Sequence, residues 1–242
     1  MAGPPSGPIL ALHCMLASGG AWRGVAAHLD RPMLRPDLPG HGRAPRPEGD
    51  WMEAAVAAAW DAAPKGPVDV VGHSIGGCVA LRMLADDPGR IRRLVLVEPV
   101  MFAAADPSAR AANAAEMAPY GAALARGDRR AALAAFHGMW GDAPLDALPD
   151  AAVAYMAERV DLVAATVPAI VDDAGRVLDR LPPDAAPTLV TGAAPRPVMG
   201  AIETGLRARM PRMGTVRVAG AGHMAPLTHP EAVAAILRDA LA

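Results

Sequence analysis

The sequence predicts an α/β fold, in which helices cover both faces of a doubly wound, mostly parallel sheet of about six strands. Short apolar, β-branched runs alternate with longer Ala-rich stretches of helical spacing. Several short runs, such as residues 94–97, are wholly apolar, which is typical of strands buried on both faces. At 242 residues, one domain of this kind buries about 70% of the surface of its unfolded chain.

The predicted strands are the runs that are richest in Val, Leu and Ile. In chain order they cover residues 8–14, 33–37, 68–73, 93–98, 187–191 and 215–219. The helices between them are predicted to begin near Ser18, Trp51, Ile75, Val198 and Pro230. The last start is favoured because proline in a first turn loses no helical hydrogen bond, and the following Glu231 suits the positive end of a helix.

The alternation of strands and helices is interrupted between residues 101 and 183. This segment is Ala-rich, has helical spacing with several Pro and Gly breaks, and contains no convincing strand. A structureless loop of such length is implausible in a compact domain. We therefore predict a core of residues 1–100 and 184–242 with a helical insertion at residues 101–183.

Composition excludes several classes of protein. Asp and Glu number 25 and Lys and Arg 23, so the basic excess of a nucleic-acid-binding protein is missing. Polar residues or Pro interrupt each apolar run, and no basic residue precedes the first one, so we expect neither a membrane segment nor a signal peptide. Cys14 and Cys78 are too few for a disulfide framework. We expect a cytoplasmic protein that acts on a small molecule, as a monomer or a homodimer.

The strongest motif is Gly-His-Ser-Ile-Gly at residues 72–76, between a predicted strand and a predicted helix. The chain has only four serines, so a chance match to G-x-S-x-G is improbable. A serine in a sharp strand-to-helix turn exposes its hydroxyl at the helix N-terminus, and the flanking glycines make room for the crossing chains. Ser74 is therefore predicted to be a nucleophile.

A serine nucleophile needs a base and an oxyanion hole. His223 is the predicted base, because it lies on a Gly-rich loop after the last strand and so at the same edge of the sheet as Ser74. The N–H of Ile75, which follows the nucleophile, is one predicted oxyanion donor. The N–H of Met15, on the loop after the first strand, is the other.

These segments together resemble the α/β-hydrolase superfamily. The resemblance covers residues 8–99 and 187–242 and is carried by Leu-His at 12–13, Asp-Leu-Pro-Gly-His-Gly-Arg at 37–43, Gly-His-Ser-Ile-Gly-Gly at 72–77 and Gly-His at 222–223. It implies that the insertion at 101–183 caps the active site. Family members usually begin with two further strands, so we expect a shortened and wholly parallel sheet here. The family's His-Gly after the first strand reads His13-Cys14 in this chain.

The position of the triad acid departs from the usual family pattern. That acid usually follows the strand predicted at 187–191, but residues 192–199 contain no carboxylate. Glu98, at the end of the strand next to the nucleophile's strand, is the predicted acid, and a minority of the superfamily places its acid there. Asp172, Asp173, Asp184 and the absence of any acid stay open as alternatives.

The predicted function is hydrolysis of a small or medium apolar ester, thioester or related acyl bond through an acyl-enzyme on Ser74. Hydrolysis of a carbon–carbon bond, acyl transfer and ligand binding with little turnover are the alternatives. Neither a cofactor nor a metal is predicted, since the seven histidines lack H-x-H and H-E-x-x-H spacing. The insertion contains apolar candidates for a substrate pocket, which are Met101, Phe102, Met117, Tyr120, Phe136, Met139, Trp140, Tyr155 and Met156. Its basic candidates for binding an acidic substrate group are Arg110, Arg126, Arg129, Arg130 and Arg159, although a solvated helical face explains them better.

Overall fold

The computed structural model describes residues 7–193 and 195–242, so the first six residues of the predicted core lie outside the described part. Within it, six strands form one sheet in the order β2-β1-β3-β4-β5-β6, and every neighbouring pair is parallel. The strands are β1 (Ile9–Leu12), β2 (Met33–Leu34), β3 (Val68–His73), β4 (Ile91–Val97), β5 (Thr188–Gly192) and β6 (Gly214–Val218). The predicted α/β fold with a parallel sheet is confirmed.

Two strand boundaries differ most from the prediction. The edge strand β2 has two residues rather than the predicted five, because Pro36 has no N–H to donate to β1. Strand β4 begins at Ile91, two residues before the predicted start. Its early residues include Arg92, whose guanidinium binds the buried Asp69 carboxylate at 2.7–2.8 Å. A charged side chain thus obscured the start of a strand.

The helices cover both faces of this sheet. The described residues contain twelve α-helices: α1 (Arg23–Ala26), α2 (Trp51–Ala62), α3 (Ile75–Asp86), α4 (Pro107–Ala125), α5 (Arg129–Trp140), α6 (Asp150–Arg159), α7 (Leu162–Ala165), α8 (Val167–Ile170), α9 (Val177–Arg180), α10 (Pro197–Arg209), α11 (Ala225–Thr228) and α12 (Pro230–Ala240). The helix expected near Ser18 is a 3-10 turn, Gly19–Trp22, that leads into α1.

Side chains alternate between the two faces of the sheet, as the period of a strand requires. Leu10 and Leu96 pack with residues of α2, α3 and α10 on one face. Ile9 and Val95 pack with residues of α1 and α12 on the other. Helices thus cover both faces of the sheet. A site can form at the carboxyl edge, where the strands end.

Helices α4 to α9 occupy the segment between β4 and β5, all of which is described and contains no strand. Part of this inserted segment forms a separate apolar cluster, which includes Tyr120, Leu133 and Val160. Leu16, from the loop after β1, also packs into it. The inserted segment therefore rests on the loop that was predicted to supply an oxyanion donor. Among the described residues, no helix is long and apolar enough to cross a membrane.

Candidate active site

Ser74 lies in the turn between β3 and α3 with φ 57° and ψ −118°. A side chain disfavours a positive φ, so the surrounding packing has to maintain this conformation. A Cβ on Gly72 would come within 2.3 Å of the Gly76 carbonyl oxygen, and a Cβ on Gly76 within 2.4 Å of the Leu12 carbonyl oxygen. Glycine at both positions is thus required for the turn that presents Ser74.

His223 lies on the loop after β6 and contacts this serine. Its Nε2 is 3.0 Å from the Ser74 Oγ. The main chain of this loop is bonded to β3, since the His73 ring donates its Nε2–H to the His223 carbonyl oxygen at 2.9 Å. The nucleophile's own strand therefore fixes the position of the histidine.

Glu98 follows β4 and lies on the other side of the His223 ring. Its Oε2 is 3.3 Å from the His223 Nδ1, and its Oε1 accepts the Gly192 N–H at 2.8 Å. The residue has φ 47° and is 2% exposed. The end of β5, where the usual acid is missing, thus supplies a backbone donor to the Glu98 carboxylate instead.

The three other carboxylates considered from the sequence do other things. Asp173 accepts the backbone N–H groups of Val177 and Leu178 at 2.7 and 3.1 Å, so it caps α9. Asp172 and Asp184 are exposed. Of the four candidates, the structure brings Glu98 to His223.

The two residues predicted to supply the oxyanion donors lie at the same cavity as Ser74. Met15 and Ile75 line the cavity that contains the Ser74 side chain. The Ile75 N–H is the first of α3, a position where no helical acceptor exists. In the loop of Met15, the left-handed residue is Leu16, with φ 60°, and not Cys14. The replacement of the family's glycine by Cys14 is therefore accommodated without a positive φ at that position.

Two buried histidines hold the Met15 loop against the segment after β2. His13 donates its Nδ1–H to the Cys14 carbonyl at 2.8 Å, and its Nε2 accepts the Leu38 N–H at 2.9 Å. His41 accepts the Leu16 N–H on Nε2 at 3.1 Å and donates its Nδ1–H to the Pro39 carbonyl at 3.0 Å. Each ring accepts one bond and donates one, which requires the neutral form.

The burial of these rings is consistent with neutral histidines. Burial lowers the pKa of His13 to about 4. Burial and the neighbouring His13 lower the pKa of His41 to about 3. Burial and the neighbouring His223 lower the pKa of His73 to about 3. Three neutral histidines thus support the loops around Ser74.

These pKa values predict acid lability. Below about pH 6.5 the unfolded chain takes up protons on these histidines while the folded protein does not, so the free energy of unfolding falls as the pH decreases toward 4. Each histidine contributes a slope of up to about 1.4 kcal/mol per pH unit. Urea titrations between about pH 7 and about pH 4.5 measure this slope. His73→Gln, which retains an N–H donor, is expected to reduce the slope by the contribution of one histidine, up to about 1.4 kcal/mol per pH unit. An unchanged slope would contradict the assignment of His73 as a buried neutral histidine.

One residue of the segment between β4 and β5, Trp140, packs against the histidine. The Trp140 ring, at the end of α5, lies 4.8 Å from the His223 ring between centroids, and it is 6% exposed. Arg196, on the loop after β5, places its guanidinium 5.3 Å from the Trp140 ring and pairs with Glu116 of α4. Where the usual acid is missing, the chain therefore has a cation that attaches the core to the inserted segment.

Two cavities lie next to each other near the serine turn. One of about 420 Å³ contains Ser74 and lies between α4 and helices α7 and α8. The other, of about 680 Å³, lies between the loop after β1, α6 and α11. Met15, Phe136 and Trp140 line both cavities. The surface of each is mainly apolar.

Most of the apolar candidates line these cavities, while Met101 and Met139 line neither. The first cavity contains Phe102, Met117, Tyr120, Phe136 and Trp140, and the second contains Phe136, Trp140, Tyr155 and Met156. Among the basic candidates, Arg110 lines the first cavity. The Met15 side chain and Asn113 also line the first cavity. The sequence did not predict this, because neither residue belongs to a local motif of a substrate pocket.

Tyr155 of α6 connects the inserted segment to two loops of the core. Its hydroxyl donates to the Ala17 carbonyl at 2.8 Å and accepts the Gly42 N–H at 2.7 Å. The Arg159 guanidinium stacks on its ring at 3.8 Å. One hydroxyl therefore joins the loop of Met15, the turn after β2 and α6.

Tyr155→Phe is expected to lower the free energy of unfolding by about 1–3 kcal/mol, because it leaves two backbone groups without this partner. The ring and its contact with Arg159 are retained. Tyr120→Phe is a matched control, since the Tyr120 hydroxyl donates within the inserted segment, to the Val160 carbonyl at 3.0 Å. Urea unfolding should show the larger loss for Tyr155→Phe; equal losses would contradict the bridging role.

Part of the chain is similar in sequence to a lipase and to a second hydrolase. It is 42% identical over 103 residues to Lipase LipV of Mycobacterium tuberculosis, which covers 40% of each protein. It is 38% identical over 84 residues to 2-hydroxy-6-oxo-2,4-heptadienoate hydrolase of Pseudomonas putida, which covers 31% of this chain and 30% of that one. Each match spans less than half of the relative's length.

The likeness to solved structures extends over nearly the whole chain. The crystal structure of Cfl2 from Burkholderia cenocepacia superimposes with a TM-score of 0.73 at 21% identity, covering 99% of this chain and 88% of that one. This similarity concerns the fold. A model of the alpha/beta hydrolase family matches residues 9–236. The match includes the serine turn, Glu98 and the His223 loop, and the chain belongs to the α/β hydrolase family.

Proposed function

We propose that this protein is a serine hydrolase that cleaves a small or medium apolar ester, or a related acyl bond such as a thioester. The observation that carries the proposal is the continuous contact from Glu98 through His223 to Ser74 at the wall of an apolar cavity. This arrangement supplies a nucleophile, its base and a carboxylate that orients the base. Ser74, His223 and Glu98 are the proposed triad.

In the first step, the Ser74 Oγ attacks the substrate carbonyl carbon while the His223 Nε2 takes the hydroxyl proton. The Glu98 carboxylate holds the Nδ1–H of the ring and stabilises the imidazolium that forms. The carbonyl oxygen becomes an oxyanion, which receives hydrogen bonds from the Ile75 and Met15 N–H groups. The imidazolium then gives its proton to the leaving alcohol, and an acyl-enzyme remains.

In the second step, a water molecule gives a proton to the His223 Nε2 and attacks the acyl carbon. The same oxyanion donors stabilise the second tetrahedral intermediate. Collapse of this intermediate returns the proton to the Ser74 Oγ and releases the acid. All proton transfers thus pass through one nitrogen, so the His223 ring has to be oriented by Glu98 and its main chain fixed by His73.

The cavities support an apolar substrate. We assign the acyl part to the cavity of about 420 Å³, since Ser74 and the residues of the two proposed oxyanion donors, Met15 and Ile75, line it. The cavity of about 680 Å³ receives the leaving group or admits water. Residues 101–183 act as the cap that closes over this site, with Trp140 excluding water from His223. The similarity to a lipase favours an ester as the bond that is cleaved.

A second candidate is the hydrolysis of a carbon–carbon bond beside a ketone. The similarity to 2-hydroxy-6-oxo-2,4-heptadienoate hydrolase of Pseudomonas putida favours it, and the same triad and oxyanion hole serve both reactions. The two candidates differ in the leaving group, which is an alcohol in one and a carbanion in the other.

A substrate panel tests the proposal. Purified protein is given p-nitrophenyl esters and thioesters of increasing acyl length, and a 2-hydroxy-6-oxodienoate in a parallel assay. Hydrolysis of the esters that depends on Ser74 is the expected result. Turnover of the dienoate without turnover of any ester would overturn the ester assignment in favour of the second candidate.

A further inference from the structure

Asn113 lies in the middle of α4 with its side chain among apolar groups. It is 7% exposed and lines the cavity that contains Ser74. Its Oδ1 is buried and has no hydrogen-bond partner among the described residues. The fold therefore leaves the oxygen of this amide without a donor.

A buried amide oxygen without a hydrogen-bond donor destabilises the folded protein. A buried polar group left unpaired costs about 1–3 kcal/mol, and proteins rarely retain one without a reason. Two other neutral polar groups of the inserted segment at this cavity are paired. The Thr166 hydroxyl donates to the Val163 carbonyl at 2.8 Å, and the Tyr120 hydroxyl donates to the Val160 carbonyl at 3.0 Å. Asn113 differs from both.

Ordered water is a poor partner here. A buried water needs two to four polar neighbours, and apart from Asn113 the wall of this cavity is made mostly of apolar side chains. Arg110, one turn earlier on α4, is exposed at the rim of the same cavity. Ser74, the Asn113 amide and Arg110 thus line one and the same cavity.

We propose that Asn113 is a specificity-determining residue whose amide binds a hydroxyl group on the acyl part of the substrate. A hydroxyl both donates and accepts, so it pairs with the amide in either of its two orientations. The substrate class is then a hydroxyacyl ester and not a plain alkanoyl ester. This inference rests on the proposed function, since it places the acyl chain in the cavity of Ser74.

The test compares methyl octanoate with its 3-, 6-, 7- and 8-hydroxy derivatives by pH-stat titration. The native protein should hydrolyse one hydroxy ester at least about fivefold more efficiently than methyl octanoate, as kcat/KM. Asn113→Leu, which has a similar shape and no polar group, should lose this preference and hydrolyse methyl octanoate at least as well as the native protein. Met117→Leu, on the same helix and cavity wall, is the control and should retain the preference.

The proposal is overturned if no hydroxyl position is preferred, or if Asn113→Leu keeps the native ratio. Failure of the proposed function gives a different result, because then no ester is hydrolysed at all. In that case the free octanoic and hydroxyoctanoic acids are compared by calorimetric titration. Tighter binding of a hydroxy acid that is lost in Asn113→Leu supports the role of Asn113, and equal binding of all the acids overturns it.

Discussion

Ser74→Ala is expected to lower kcat for ester hydrolysis by about 10⁶-fold, because it removes the atom that forms the acyl-enzyme. The residual rate comes from the oxyanion donors and from substrate binding, which the substitution leaves in place. KM should change little, since the serine hydroxyl contributes mainly to the reaction and not to binding. Steady-state kinetics on the best ester of the panel measure both constants.

A second serine provides the control for this substitution. Ser108 lies at the start of α4, is exposed, and its side chain makes no hydrogen bond within the described residues. Ser108→Ala should have native kcat. Ser74→Ala should also unfold near the native urea midpoint, since alanine keeps the Cβ and the backbone conformation and creates no large cavity. A folded Ser74→Ala variant with near-native kcat would refute the nucleophile assignment.

Glu98→Gln is expected to lower kcat by about 10⁴-fold. Glutamine retains an oxygen that accepts the Gly192 N–H, and its amide NH₂ then faces the His223 Nδ1. The ring has to accept this donor on Nδ1 and carry its proton on Nε2. In this tautomer His223 donates toward Ser74 and is unable to take the serine proton. The loss of activity thus follows from a single proton in the wrong place.

Asp173→Asn separates this effect from a general loss of carboxylate charge. Asp173 was an alternative acid from the sequence, and in the structure it caps α9 with its carboxylate. Its substitution replaces one of the two acceptor oxygens by an NH₂ group, so it should lower the free energy of unfolding by about 1 kcal/mol and leave kcat near the native value. Near-native kcat in Glu98→Gln, or a large loss in Asp173→Asn, would move the role of the acid away from Glu98.

Ser74, His223 and Glu98 are predictable from the sequence, because the position of each follows from a contiguous motif or from the strand that it follows. The serine motif is contiguous and requires glycine where the chains approach most closely. His223 and Glu98 each follow a strand of a parallel sheet, and such strand ends meet at one edge. The structure brings these three side chains together, and their catalytic roles stay proposals that the variants above test.

Other features of the site depend on contacts that are distant in the chain. The bond from the Leu16 N–H to His41 joins residues 25 positions apart, and Tyr155 reaches Gly42 across 113 positions. Neither a motif nor a periodicity encodes such contacts. The unpaired amide oxygen of Asn113 was missed for a related reason, since one polar residue in an Ala-rich helix is ordinary until its surroundings are known.

Mapping a covalent adduct tests the central claim most directly. The native protein is incubated with a fluorophosphonate, digested and analysed by mass spectrometry. If Ser74 is the nucleophile, we expect one adduct, on the peptide that contains Ser74. Labelling should be slower in Glu98→Gln and absent from that peptide in Ser74→Ala. An adduct confined to another residue, or an unlabelled native protein that still hydrolyses esters, would contradict the assignment of Ser74 as the nucleophile.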